Sequence, residues 1–258
     1  MANTEQLTVL SLCSGYGGLE LGLSGALENP LRVVAVEVEA YALANLVAKA
    51  EEGKLAIEAL WPDLKTFPAE RFRGCFDFIL AGYPCQPFSR SGKRRGKEDA
   101  RHFWPYIREH IEAIRPVWVF CENVGGHLEL GFDEVYRSLS GMGYAVEATL
   151  LSAAECAGSH ERQRLYVLAY NASYMRSKED LLVPRPIRET SVQHRGLCSL
   201  ERQLQARLKI EPKPRLVRMA DDDTSTMDRL HLLGNGVVPQ QAELAFRTLM
   251  AMFPIEKA

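Results

Sequence analysis

Apolar residues in this chain gather in short unbroken runs, separated by stretches in which they return every third or fourth position. Thr8 to Leu12 is such a run, and the SGYGG turn leads from it into LELGLSGAL, whose spacing predicts a helix. Arg32 to Val36 (RVVAV) predicts a second strand ending at Glu37, followed by a helix over AYALANLVAKA. Phe76 to Ala81 (FDFILA) predicts a third strand, stopped by Gly82 and by Pro84, which cannot donate to a ladder. HFWPYIREHIEAI has helical spacing, with Pro105 early enough to occupy a first turn. Val117 to Cys121 (VWVFC) is a strand ending at Glu122, Phe132 to Leu139 a helix, and Arg164 to Tyr170 (RLYVLAY) a further strand. Strands alternating with helices imply an α/β fold: a doubly wound, mostly parallel sheet covered on both faces.

After Tyr170 the texture changes to Arg, Pro and Ser with few apolar runs, so a small module is expected at 171–230, inserted between a main part at 1–170 and a closing segment at 231–258. That segment contains LLGNGVVP and a helix, QQAELAFRTLMAMF, apolar enough to dock on the main body. The 258 residues suit one large α/β domain with a small addition, and 47% apolar content excludes wholesale disorder. No run approaches the roughly 18 apolar residues of a membrane span, and MANTEQLTVLSL lacks the features of a signal peptide, so a cytoplasmic protein is expected. The six cysteines never fall at CxxC spacing, which argues for reduced thiols and against a zinc site.

A formal charge of −2 alone argues against a polyanionic partner, but the charge is unevenly placed. Arg90 to Arg101 holds six Lys/Arg against two acids, a local +4, and 171–219 holds eleven against five, a local +6; the remainder carries −12. Such patches are either solvated loops or surfaces that neutralise phosphates.

In open parallel sheets, ligands collect at the carboxyl ends of the strands. Four such ends here carry unusual residues: the SGYGG turn, Glu37, GYPCQPFS and ENV. Glu37, about 20 residues beyond the glycines, can accept the ribose hydroxyls of an adenosine cofactor or simply open a helix. Cys85 lies between Pro84 and Pro87 in a backbone of restricted freedom, which suits either a fixed nucleophile or a small buried hydrophobe. Glu122 is either solvated or held in a cleft with a raised pKa.

Taken together, CSGYGG, GYPCQPFSRSGKRRG, ENV, HERQRLYVLA and GNGVVPQQAELAF, in that order over residues 8–246, resemble the motifs of the cytosine-5 DNA methyltransferases. The resemblance implies a Rossmann-like methyltransferase fold, S-adenosylmethionine as methyl donor, double-stranded DNA as partner, a monomer and no metal, with 171–230 as a target-recognition module. It casts Cys85 as the nucleophile that adds to carbon 6 of a flipped-out cytosine, Glu122 as the acid at ring nitrogen 3, and Arg162 and Arg164 as supports of the base. By the same resemblance the donor lies across Ser14, Gly15, Tyr16 and Gly18, with Glu37 on the ribose. Val38 packs on the adenine, Asp63 lies near its amino group, Pro84 borders the pocket and Asn235 closes the methionine end. The basic run after Cys85 is similar to a loop that closes over DNA.

Three positions depart from the family pattern. Ser11 and Cys13 stand where Asp and Phe are usual, which implies a thinner adenine wall, and His160 stands where Gln is usual. The 171–230 module is short, as would suit a phage-encoded or solitary methylase. An RNA methyltransferase of the same family shares the catalytic set, and a silent DNA-binding relative would tolerate loss of Cys85 or Glu122. An NAD-dependent oxidoreductase would leave PCQ and ENV unexplained.

Overall fold

The computed structural model describes residues 5–84, 103–152, 163–174 and 236–253. Cys85, Arg162, Asn235, the departure at His160, the basic segment 90–101, and the second basic segment and expected module beyond residue 174 lie outside the described residues.

A seven-stranded sheet forms the centre, in the order β3-β2-β1-β4-β5-β7-β6. Its strands are β1 (Leu7–Leu12), β2 (Leu31–Val36), β3 (Ile57–Trp61), β4 (Phe78–Ala81), β5 (Trp118–Val124), β6 (Tyr144–Ser152) and β7 (Gln163–Asn171). The first five are parallel, whereas β7 runs antiparallel to both β5 and β6. The expected α/β sheet, mostly parallel, is therefore what forms. The central strands are continuously apolar because alternate side chains enter two different cores. Phe78 and Leu80 of β4 and Trp118 and Phe120 of β5 face one cluster; Ile79, Ala81, Val119 and Cys121 face the other.

Helices α1 (Gly18–Ala26), α2 (Ala40–Glu51) and α6 (Pro239–Met250) cover the first face through Leu19, Leu23, Leu46, Ala242 and Phe246. Helices α3 (Trp104–Ile114) and α5 (Phe132–Gly141) cover the second through Trp104, Ile107, Ile111, Val135 and Leu139; the short α4 (His127–Leu130) joins β5 to α5. Pro105 falls in the first turn of α3, as expected, where its missing N–H costs nothing. Gly18 and Gly22 let α1 lie directly on the C-terminal segment: a Cβ at either would collide with the backbone of Val237 or with Ala242 and Pro239.

Three elements differ from the sequence reading. Strands β3 and β6 were not expected; both are sheet edges with half-exposed faces, so neither carries the apolar run of a buried strand. Glu122 and Asn123 lie within β5, not beyond it, because the ladder with β7 continues to Val124 opposite Arg164.

Candidate active site

Because β1 to β5 are parallel, their carboxyl ends share one edge of the sheet, and strand order fixes the order of what they carry. Asp63 follows β3, Glu37 follows β2, residues 13–18 follow β1, Gly82 to Pro84 follow β4, and Glu122 lies in the last turn of the ladder on β5. Three interstrand steps of about 4.8 Å separate β2 from β5, so Glu37 and Glu122 stand on the order of 14 Å apart along the edge. The direction of winding reverses between β1 and β4, the place where such sheets open a crevice.

On the β1–β2 side, Glu37 organises the backbone. Its Oε2 accepts the Gly15 N–H at 2.7 Å, while Oε1 accepts those of Val38 at 2.8 Å and Glu39 at 2.9 Å. A carboxylate has about four acceptor positions, so one remains, on Oε2. Gly15 and Gly17 both adopt positive φ, 56° and 86°, as does Cys13 at 55°, which folds the loop tightly over the strand end. The Ser14 hydroxyl donates to the Ser11 carbonyl, so this side chain serves the turn. Tyr16 is held on three sides: its hydroxyl donates to the Val237 carbonyl, its own carbonyl accepts from Lys49 Nζ, and that ammonium lies 4.7 Å from its ring centroid. Next to Glu37, Val38 is 73% exposed, an apolar side chain without cover. Asp63 caps a short 3-10 turn, Oδ1 accepting the Lys65 N–H at 2.9 Å.

Beneath this loop Glu20 is 1% exposed, and neither carboxylate oxygen has a well-formed hydrogen bond. Burial pushes its carboxyl up, opposed by the Ser11 and Ser14 hydroxyls and the Lys49 charge. Burial also lowers the pKa of Lys49, against the pull of Glu20.

On the β4–β5 side, Glu122 Oε1 and Arg164 Nε form an ion pair at 2.7 Å, with side chains 7% and 13% exposed. Register explains it: Glu122 lies opposite Tyr166, so Arg164, two residues away on β7, projects diagonally on the same face. Asn123 points to the opposite face, where its Nδ2 donates to the Tyr83 carbonyl at 3.4 Å. Ala81 pairs with Cys121, so the chain leaving β4 through Gly82, Tyr83 and Pro84 runs beside Glu122 and Asn123.

The described cysteines are poor nucleophiles for this site. Burial pushes the Cys13 and Cys121 thiols up to about 12, leaving almost no thiolate at neutral pH. Cys75 is exposed but precedes β4, at the opposite end of the sheet from Glu122. The structure thus brings Ser14, Gly15, Tyr16, Gly18, Glu37, Val38, Asp63, Pro84, Glu122 and Arg164 to one edge or to the segments that line it. Of the residues that brace the loop, Lys49 and Glu20 carry no local sequence signal, while Val237 falls within the GNGVVP motif. No group of three or more His, Cys, Asp or Glu able to hold a metal ion occurs among the described residues. No described helix is long and apolar enough to cross a membrane.

One edge of a doubly wound sheet thus carries a glycine loop, an acidic residue after β2 and a buried acid–arginine pair. The family model for C-5 cytosine-specific DNA methylases matches residues 7–243, and the chain belongs to that family. Type II methyltransferase M.NgoMIV of Neisseria gonorrhoeae is 31% identical over 173 residues, covering 66% of this chain and 53% of that protein. Type II methyltransferase M.NgoPII of the same organism is 32% identical over 171 residues, covering 64% and 48%. The chain spans about half the length of the curated relatives it matches. Among solved structures, Entamoeba histolytica methyltransferase EhMeth is similar in fold, with a TM-score of 0.54 at 20% identity, covering 65% of this chain and 54% of that one.

Proposed function

We propose that this chain is a DNA (cytosine-5-)-methyltransferase of the cytoplasm, using S-adenosylmethionine and a covalent adduct with Cys85. The observation that carries the reading is the order along the sheet edge: an acidic residue after β2, a glycine loop, the segment leading to Pro84, and the Glu122–Arg164 pair. The donor fits the residues present. Glu37 keeps one acceptor position for a ribose hydroxyl, and the uncovered Val38 offers an apolar face to a purine. Asp63 keeps its second oxygen for the adenine amino group. Ser14 and Tyr16, their hydroxyls engaged within the protein, would serve through the backbone, and Asn235 would close the methionine end. The donor supplies a methyl group on a sulfonium, which the carbon 5 of an unactivated cytosine is too weak a nucleophile to accept.

Activation falls to the protein. The Cys85 thiolate adds to carbon 6, forming an S–C bond while electrons of the 5,6 double bond move through carbon 4 to nitrogen 3. Glu122, in the form that carries a proton, gives nitrogen 3 that proton or a hydrogen bond, so that charge does not accumulate there. Carbon 5 is now nucleophilic enough to be methylated. Loss of the carbon 5 proton to a base and departure of the thiolate then restore the double bond, and nitrogen 3 returns its proton. Arg164 holds the Glu122 carboxyl in a fixed orientation, and Arg162 would support the base from the same segment. The cytosine must leave the duplex, because carbon 6 is out of reach within the stack. The basic segments 90–101 and 171–219 would meet the phosphates.

Bisulfite sequencing of DNA from cells expressing the chain tests the reading. Unconverted cytosines in one recurring context, absent with Cys85→Ser, are expected. Full conversion of DNA with the soluble parent protein, or protection confined to RNA, would overturn it.

A further inference from the structure

The β4 exit is held from a side that the proposed chemistry does not use. The Tyr83 hydroxyl and His127 Nε2 share a hydrogen bond of 3.1 Å, both side chains are buried, and their rings meet edge to face with centroids 5.7 Å apart. Trp104 of α3 closes the next side of Tyr83, with ring centroids 5.8 Å apart. His127 opens α4, three residues beyond β5, and its imidazole occupies the space beside Gly131 that any Cβ there would fill. Together with the Asn123 contact to the Tyr83 carbonyl, the residue two places before Cys85 is fixed at both backbone and side chain by the segment that carries Glu122. A buried hydroxyl and a buried imidazole each need a partner, so this pairing joins the two strand exits in one relative position. An apolar pair of the same size would fill the space without specifying that position. Pro84, its φ locked, removes one torsion between Tyr83 and the residue that follows.

We infer that the Tyr83–His127 hydrogen bond is a positioning device for the nucleophile segment: it sets the place of Pro84 and Cys85 relative to Glu122 and acts on the covalent step, not on donor binding. This rests on the reading of Cys85 as nucleophile. A misplacement of about 1 Å in a reacting group can cost on the order of a hundredfold in rate.

The test is single-turnover transfer of labelled methyl from S-adenosylmethionine to plasmid DNA, with donor Kd by calorimetry and the melting temperature measured in parallel. Tyr83→Phe removes one end of the bond and His127→Leu the other, while His127→Gln keeps a side chain able to bond to Tyr83. Each single removal is expected to lower the transfer rate about tenfold or more, with KM and donor Kd within about twofold of the parent. His127→Gln should recover most of the loss, and the Tyr83→Phe/His127→Leu double variant should lose less than the two singles multiplied. Rates unchanged in soluble Tyr83→Phe, or losses that follow melting temperature alone with no rescue by Gln, would overturn the inference. A parent protein that transfers no methyl to DNA would instead refute the functional reading on which it stands.

Discussion

Arg164→Met is the substitution whose effect the geometry predicts most directly. Glu122 and Arg164 meet at 2.7 Å with side chains only 7% and 13% exposed, so the arginine is the near neighbour that balances a carboxylate removed from water. Removing one partner of a buried ion pair costs about 3–5 kcal/mol, against about 0–1 kcal/mol for a pair at the surface. For a protein of this size each kcal/mol shifts the melting temperature by roughly 2–4 °C. Arg164→Met should therefore lower the midpoint by about 6–20 °C. Glu122→Gln added to Arg164→Met removes the charge that has lost this guanidinium and should recover at least half of that loss. The assay is thermal unfolding followed by circular dichroism on the parent, both single variants and the double variant, which together isolate the pairwise energy. A drop of less than about 2 °C in Arg164→Met, with no recovery in the double variant, would refute the claim that the pair is buried and coupled.

Two further predictions concern the donor loop. Glu37→Gln keeps the volume but replaces one acceptor oxygen with a donor; with Oε1 kept for the Val38 and Glu39 N–H groups, the amide nitrogen takes the Oε2 position, and both the Gly15 N–H and a ribose hydroxyl lose their acceptor. Donor affinity should fall by about 1.5–3 kcal/mol, roughly 10- to 150-fold in Kd by calorimetry; an unchanged Kd would remove the pocket from this position. Burial raises the Glu20 carboxyl above its ordinary 4.5, so between those two values the unfolded chain has released a proton that the folded chain still holds. Stability therefore declines as pH rises through that window, and Glu20→Gln, which cannot ionise, should gain melting temperature over the parent more at pH 8 than at pH 5. A gain that shrinks with rising pH would contradict the assignment.

Legibility in the sequence followed burial. Strands β1, β4 and β5 announced themselves because both of their faces are covered, which demands unbroken apolar runs such as FILA and WVFC. The edge strands β3 and β6 are half exposed, and their mixed composition, IEALW and YAVEATLLS, carried no comparable signal. The strand ends drew attention in the sequence because glycine, proline and acidic residues are conspicuous there, and the fold lines those ends up along one edge. What could not be read were contacts between distant segments: the Tyr16 hydroxyl on Val237, Lys49 on the Tyr16 carbonyl, and His127 on Tyr83. Each depends on how far one segment leans on another, which neither periodicity nor spacing encodes. Glu122 shows the intermediate case, singled out from the sequence but placed beyond a strand that in fact carries it, because the extent of β5 is set by its partner β7.

The central claim, a covalent step at Cys85, is tested by trapping. DNA carrying 5-fluorocytosine at a position identified by bisulfite mapping blocks the last step, since fluorine at carbon 5 cannot be removed as a proton. With S-adenosylmethionine present, the parent protein should form a denaturant-resistant complex with this DNA, and peptide mass mapping should place the attachment at Cys85. Cys85→Ser should form none, and Glu122→Gln should form it more slowly, because an amide cannot deliver the proton to nitrogen 3. An adduct that persists in Cys85→Ser, or that maps to Cys75 or Cys121, would contradict the account.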